Sequence, residues 1–329
     1  MELSVINCLP FISSERQMAG KFHAGIANSS ESWPELRLDD WKDTYATLHM
    51  WMQIVGKIRL ALTPKTNHWW NVPLYVSARG LRTSIIPYEN RHFEMEFDFL
   101  EHKLFIRTAD GRTNSVALAP RSVADFYAEL MATLRSLDIH VHIWKTPVEV
   151  ADSIPFDQDK VHASYDAEYA HRFWQILLSA DEVFKVFRSR FVGKSSPVHF
   201  FWGSFDLAIT RFSGRRAPER EDTDPVLRKI MQEAYSHEVI SAGWWPGGAT
   251  LAAPAFYCYA SPSPAGFEKQ AVRPAKAYYD SALGEYLLMY DDVRLAGSPK
   301  AALLDFLQST YEAGATTGNW DRKTLEQSV

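Results

Sequence analysis

The sequence predicts an α+β protein of two similar halves, each a mostly antiparallel β-sheet flanked by a long leading helix and a closing helix. Three observations carry this expectation. Apolar residues recur three or four apart over long windows, as in Trp41, Tyr45, Leu48, Met52, Val55, Ile58 and Leu62, which marks one helical face. Between such windows the period falls to two. In 91–99, Phe93, Met95, Phe97 and Phe99 alternate with Glu94, Glu96 and Asp98, a strand with one wet face. The strands that follow are joined at Leu100-Glu101-His102 and Asp110-Gly111, connections too short for parallel crossovers.

Residues 1–32 read as a mobile extension, because the stretch before Trp33-Pro34 is small, polar and without period. The first half spans 33–146. Its leading helix stops at Thr63-Pro64, strands follow at 91–99, 103–108 and 116–118, and a closing helix carries Val123, Phe126, Tyr127, Leu130, Leu134 and Leu137. A short strand is expected at 139–144, with His140 and His142 on one face. A Pro- and Asp-rich linker, 147–164, precedes a second half at 165–329 with an insertion at about 214–273. There the leading helix buries Phe173, Ile176, Leu177, Ala180, Phe184, Phe187 and Phe191, with Ser164 as expected N-cap. Strands at 198–202 and 205–212 meet at Gly203-Ser204, a hairpin signal. A charged loop, a short helix at 225–235, strands near 238–242, 255–260 and 285–290, and a helix with Leu303, Phe306, Leu307 and Tyr311 complete the chain. His68-Trp69-Trp70 parallels His199-Phe200-Phe201, and Asp125-Phe126 parallels Asp305-Phe306, which suggests an internal duplication.

Composition narrows the function classes. Among 329 residues, 46% are hydrophobic and 23% charged, which excludes a disordered or fibrous chain. A net charge of -5 without a basic stripe argues against nucleic acid as partner. No run reaches the roughly 18 apolar residues of a membrane span. The N-terminus lacks the basic and apolar regions of a signal peptide. Cys8 and Cys258 sit in unrelated contexts, so neither a disulfide framework nor a zinc site is expected, and a cytoplasmic location fits. The outlier is aromatic content, 13%, with 11 Trp, 14 Tyr and 19 Phe. Aromatics at that density build a large core or line a pocket.

The densest signature is Ile154-Pro155-Phe156, then His162-Ala163-Ser164-Tyr165-Asp166, Gly193-Lys194 and the run from Ser196 to Leu207, followed by Ser236-His237-Glu238 and Trp245-Pro246-Gly247-Gly248. With Trp33-Pro34-Glu35-Leu36, these residues make the chain resemble, over nearly its whole length beyond residue 32, a bacterial family catalogued as a domain of unknown function. The resemblance implies a bacterial protein and supplies no catalytic residues.

Candidate sites therefore rest on residue chemistry. His162, Asp166, His199, Asp206, Arg211 and His237 supply groups for acid-base work or metal binding, but without a compact motif. The plainer reading makes Asp166 a helix cap and the histidines ordinary. Gly193-Lys194-Ser195 lacks the glycines and the following helix of a phosphate loop. Trp202, Trp244, Trp245, Tyr257 and Tyr259 form the aromatic case: Trp244-Trp245-Pro246-Gly247-Gly248 reads as a turn, and these aromatics stack on a flat ligand or close over the sheet. Trp69-Trp70-Asn71 beside Arg79 and Arg82 offers an acidic ligand a pocket, or simply core and surface charge. The preferred expectation is a small-molecule pocket in the second half, lined by His199, Trp202, His237 and Trp245, with Asp206 or Arg211 as polar contact. The competing expectations are a hydrolase or metal-dependent enzyme using His162, His199, Asp206 and His237, and a protein-interaction module with an aromatic surface. No cofactor, catalytic residue or oligomeric state is specified by the residues, and no metal is expected.

Overall fold

Helix α1, Leu38–Leu62, ends at Thr63 as the following proline requires. The computed structural model describes residues 32–151, 153–219 and 225–327. The expected mobile extension up to residue 31, Cys8 with it, and the tip of the charged loop at 220–224 lie outside the described residues. Helix α1 buries more than the single apolar face expected of it: every residue from Thr47 to Arg59 is buried. A helix enclosed on all sides must pair its polar side chains internally. Gln53 donates to the Val148 carbonyl and accepts from the Val148 amide, Lys57 donates to the carbonyls of Trp144 and Thr146, and His49 donates to that of Gly203 at 2.8 Å. Spaced four apart, these three residues form one stripe. They fasten the segment after Ile143 and the Gly203 turn to α1.

The first sheet contains β1 (Tyr75–Val76), β2 (Gly80–Arg82), β3 (Ile86–Tyr88), β4 (Arg91–Asp98), β5 (Lys103–Thr108) and β6 (Thr113–Ala117). It is ordered β1-β2-β4-β5-β6, with β3 also on β4, and all pairs are antiparallel. Strands of two or three residues leave no period to read, which is why β1 to β3 escape sequence analysis. Helix α2, Val123–Ser136, is capped by Ser122, whose side chain accepts from the Asp125 amide. The strand expected at 139–144 is absent. Ile139 and Ile143 are buried and His140 and His142 exposed, so the alternation is real, but no neighbouring strand pairs with it. The His140 amide donates instead to the Tyr88 hydroxyl.

Helix α3, Ala167–Ser189, is capped by Asp166 rather than Ser164; its carboxylate accepts from the amides of Glu168 and Tyr169. The second sheet holds β7 (His199–Phe201), β8 (Asp206–Arg216), β9 (His237–Trp245), β10 (Ala255–Ser261), β11 (Tyr278–Asp280) and β12 (Glu285–Met289). Its order is β11-β12-β10-β9-β8-β7, again antiparallel. Three short helices intervene or follow, α4 (Pro225–Ala234), α5 (Tyr290–Arg294) and α7 (Arg322–Leu325), and α6, Pro299–Thr317, closes over the sheet. Among the described residues, seven helices and two six-stranded antiparallel sheets make an α+β fold. Asp125 lies in the first turn of α2, whereas no acidic residue lies in that of α6, so Asp305 sits deeper in its helix.

The two sheets meet edge to edge. Leu74 and Phe200 exchange both backbone hydrogen bonds at 2.8 Å, joining the β1 edge of one sheet to the β7 edge of the other. One apolar cluster runs through both, from Trp41 and Phe97 to Phe256 and Tyr311. Among the described residues no helix is long and apolar enough to cross a membrane.

Candidate functional site

Alternation along β9 separates two neighbouring tryptophans. Trp244 shares a register row with Leu207 and Phe256, is fully buried and packs against Phe173 and Tyr290. Trp245 faces the other side and is half-buried. The pair therefore belongs to a strand, not to the turn expected from Pro246-Gly247-Gly248. The indole of Trp245 lies against Gly248, where a Cβ would come within 2.9 Å of the ring. Extending the Leu207–Trp244 register places Asp206 opposite Trp245 on that same face.

Beside Trp245 opens a groove of about 510 Å³, lined among others by Tyr45, His49, Glu149, His162 and Ser204. Tyr45 and His49 come from successive turns of α1 and pack on Phe205 at 4.8 and 5.2 Å. Burial pushes the Tyr45 phenol up to about 12 and His49 down to about 4, so both are neutral. Glu149 arrives on the segment that Gln53 and Lys57 hold against α1. Its carboxylate occupies the place a side chain on Gly203 would need, and the residue remains exposed. It makes no hydrogen bond or ion pair with the described residues. Desolvation, and then the charge of Asp206, raise it to about 7.

Asp206 lies directly behind. Ser204 donates to it at 2.5 Å and Tyr257 donates to its other oxygen. Burial raises its pKa despite both hydroxyls. Tyr257 in turn is pushed far up, by burial first and Asp206 second. On the opposite wall His162 donates from Nδ1 to the fully buried Asp159 at 2.7 Å. Asp159 also accepts from the amides of Val161 and His162. The ring is thereby oriented with Nε2 unused by that contact.

Of the six candidate residues, the structure brings Trp245 and Asp206 together and disperses the others. Trp202 is a core anchor: its indole donates to the Val72 carbonyl at 2.9 Å and packs so closely on Gly56 that no Cβ fits there. Arg211 faces the helices, with its guanidinium carbon 3.5 Å from the ring centre of Phe187 and 4.2 Å from that of Tyr311. There it donates to the Phe187 carbonyl. His237 opens β9, eight residues before Trp245, so about 27 Å of extended strand separates them. Its ring lies near His68, whose Nε2 is 2.6 Å from Lys194. His199 is 1% exposed, enclosed by Trp70, Tyr75 and Phe201. Alternation is the physical reason: His199, Asp206 and Trp245 share a face, but Asp206 and Trp245 stand on one rung and His199, opposite Ala208, on another, and Arg211 points to the other side.

Tyr45, His49 and Glu149 were not singled out from the sequence as ligand groups, whereas Tyr257 was, as a stacking aromatic. Tyr45 carried only a helical-face signal, and Glu149 only a place in a linker. Among the described residues no three His, Cys, Asp or Glu side chains are grouped to hold a metal ion. Residues 33–327 match a family described as a family of unknown function (DUF5996). No curated protein and no solved structure matches the chain.

Proposed function

Since the chain belongs to the DUF5996 family of unknown function, we propose its role from the groove alone: it binds a small molecule with a flat part between Tyr45 and Trp245 and a hydrogen-bond donor or cationic group at Glu149. The observation that carries this reading is Glu149, a carboxylate at an aromatic-walled groove without a protein partner among the described residues. Aromatic walls with a few polar groups are the usual make-up of a small-molecule site. A cation or donor there relieves the repulsion between Glu149 and Asp206. The test is a fluorine-NMR screen of small planar amines and amides against the full chain, Trp245→Ala and Glu149→Gln. Binders lost in Trp245→Ala and weakened in Glu149→Gln support the reading. No binders, or binders indifferent to both changes, sink it.

A hydrolase reading keeps one specific observation, the His162–Asp159 pair. A buried carboxylate that fixes an imidazole tautomer is how a general base is oriented. Of the residues first considered for such an enzyme, His162 lines this groove and Asp206 stands behind it; His199 and His237 lie apart. Turnover of an ester or amide panel that His162→Gln abolishes is the expected result of this second reading. Turnover unchanged by that substitution removes it.

A further inference from the structure

Arg59 and His199 are buried with nitrogens that no protein group among the described residues satisfies, although the Arg59 side chain also hydrogen-bonds Tyr75. Arg59, in the last turn of α1, is 5% exposed, and His199 on β7 is 1% exposed. Nε and Nη1 of Arg59 and both ring nitrogens of His199 find no acceptor or donor among the described residues. Such groups demand an explanation, because an enclosed guanidinium without a counter-charge is strongly unfavourable.

The sheet edge brings them together. Continuing the Leu74–Phe200 register sets Tyr75 opposite His199, and Arg82 pairs with Tyr75 in turn. Arg82, Tyr75 and His199 are thus one row on one face. The guanidinium carbon of Arg59 lies 5.1 Å from the Tyr75 ring centre, and the Tyr75 and His199 rings meet edge-on at 5.5 Å. Desolvation, and then the charges of Arg59 and Arg188, hold His199 neutral, down at about 3. Beside Tyr75 runs a groove of about 410 Å³ whose lining includes Arg82 and Arg188. Among the described residues the one carboxylate in that lining, Asp181, is paired with Lys185.

We propose that Arg59, His199 and Tyr75 form an oxyanion site that takes a carboxylate or phosphate group, approached along the groove of Arg82 and Arg188. A guanidinium presents N–H groups in a fork that matches two oxygens of such a group. A neutral imidazole adds one N–H, and the Tyr75 hydroxyl is a further donor. This site is separate from the Trp245 groove and stands whether or not that groove binds anything.

The experiment is a titration of the full chain with inorganic phosphate, and separately with acetate, at constant ionic strength, read as the thermal midpoint. A ligand that binds only the folded state raises it saturably. The wild type is expected to show that rise with at least one anion. Arg59→Met is expected to melt higher than the wild type in anion-free buffer, since it removes an unpaired buried charge, and to bind the anion at least tenfold more weakly. Arg82→Ala, an exposed change that leaves the core intact, is expected to weaken binding at least twofold and decides the matter if Arg59→Met does not fold. The proposal is overturned if neither anion shifts the wild type, which leaves water as the partner of these nitrogens. It is equally overturned if the folded variants respond as the wild type does.

Discussion

On one face of the second sheet two buried polar side chains are treated in opposite ways. Asp206 is surrounded by the protein's own donors, Ser204 and Tyr257. His199 lies on the neighbouring strand, with Phe201 intervening, and both its ring nitrogens, like Nε and Nη1 of Arg59, meet aromatic faces and no donor or acceptor among the described residues. The difference teaches what burial does to charge. A carboxylate can be kept inside by hydroxyls supplied locally, at the cost of a raised pKa. A guanidinium without such supply points outward from the chain's own chemistry, to a ligand.

Substitutions can break this contrast. The largest effect is expected for Gly243→Ala, because a Cβ there runs into the Tyr257 ring and lies 2.5 Å from the Leu207 carbonyl. Overpacking of that kind costs about 3 kcal/mol, measurable by urea unfolding, and drives Tyr257 off Asp206. Tyr257→Phe removes the hydroxyl alone. It leaves Asp206 one donor poorer and should cost about 2 kcal/mol, with part of the loss recovered when Asp206→Asn is added.

Opposite pH slopes sharpen the comparison further. Glu149 is raised from 4.5 to about 7, so the folded protein binds more protons than the unfolded chain between those values. The stability it contributes is complete below pH 4.5 and disappears as pH rises to about 7. Glu149→Gln should flatten that decline in a series of thermal midpoints. His199 is lowered from 6.5 to about 3, and its contribution is present above pH 6.5 and lost as pH falls towards 3. His199→Gln should flatten the acid limb instead. A wild-type curve altered on the same side by both substitutions contradicts the contrast. The smallest stability effect is expected for Trp245→Phe, under about 1 kcal/mol because the ring is half-buried and a large aromatic remains. Trp245→Phe should leave the acetate and phosphate response unchanged.

How much was legible in the sequence depended on the range of the cause. Periodicity alone determined the α+β class, the long helices and the strand at 91–98, because hydrophobic spacing along one segment reports which face meets a core. Residue chemistry, not periodicity, put Trp245 and Asp206 among the candidates. Periodicity did not reveal that α1 is buried all round, because His49, Gln53 and Lys57 look like a wet face until the segment after Ile143 and the Gly203 turn supply their partners. Nor did it place Glu149, whose position is set by contacts almost a hundred residues away in the chain. Strand alternation fixed that His199 and Arg211 face particular sides. Which rung each occupied, and what stood opposite, was decided by register between strands and by the Leu74–Phe200 seam. Register is a property of pairs of distant segments, selected by the packing of the whole core, and no single segment carries it.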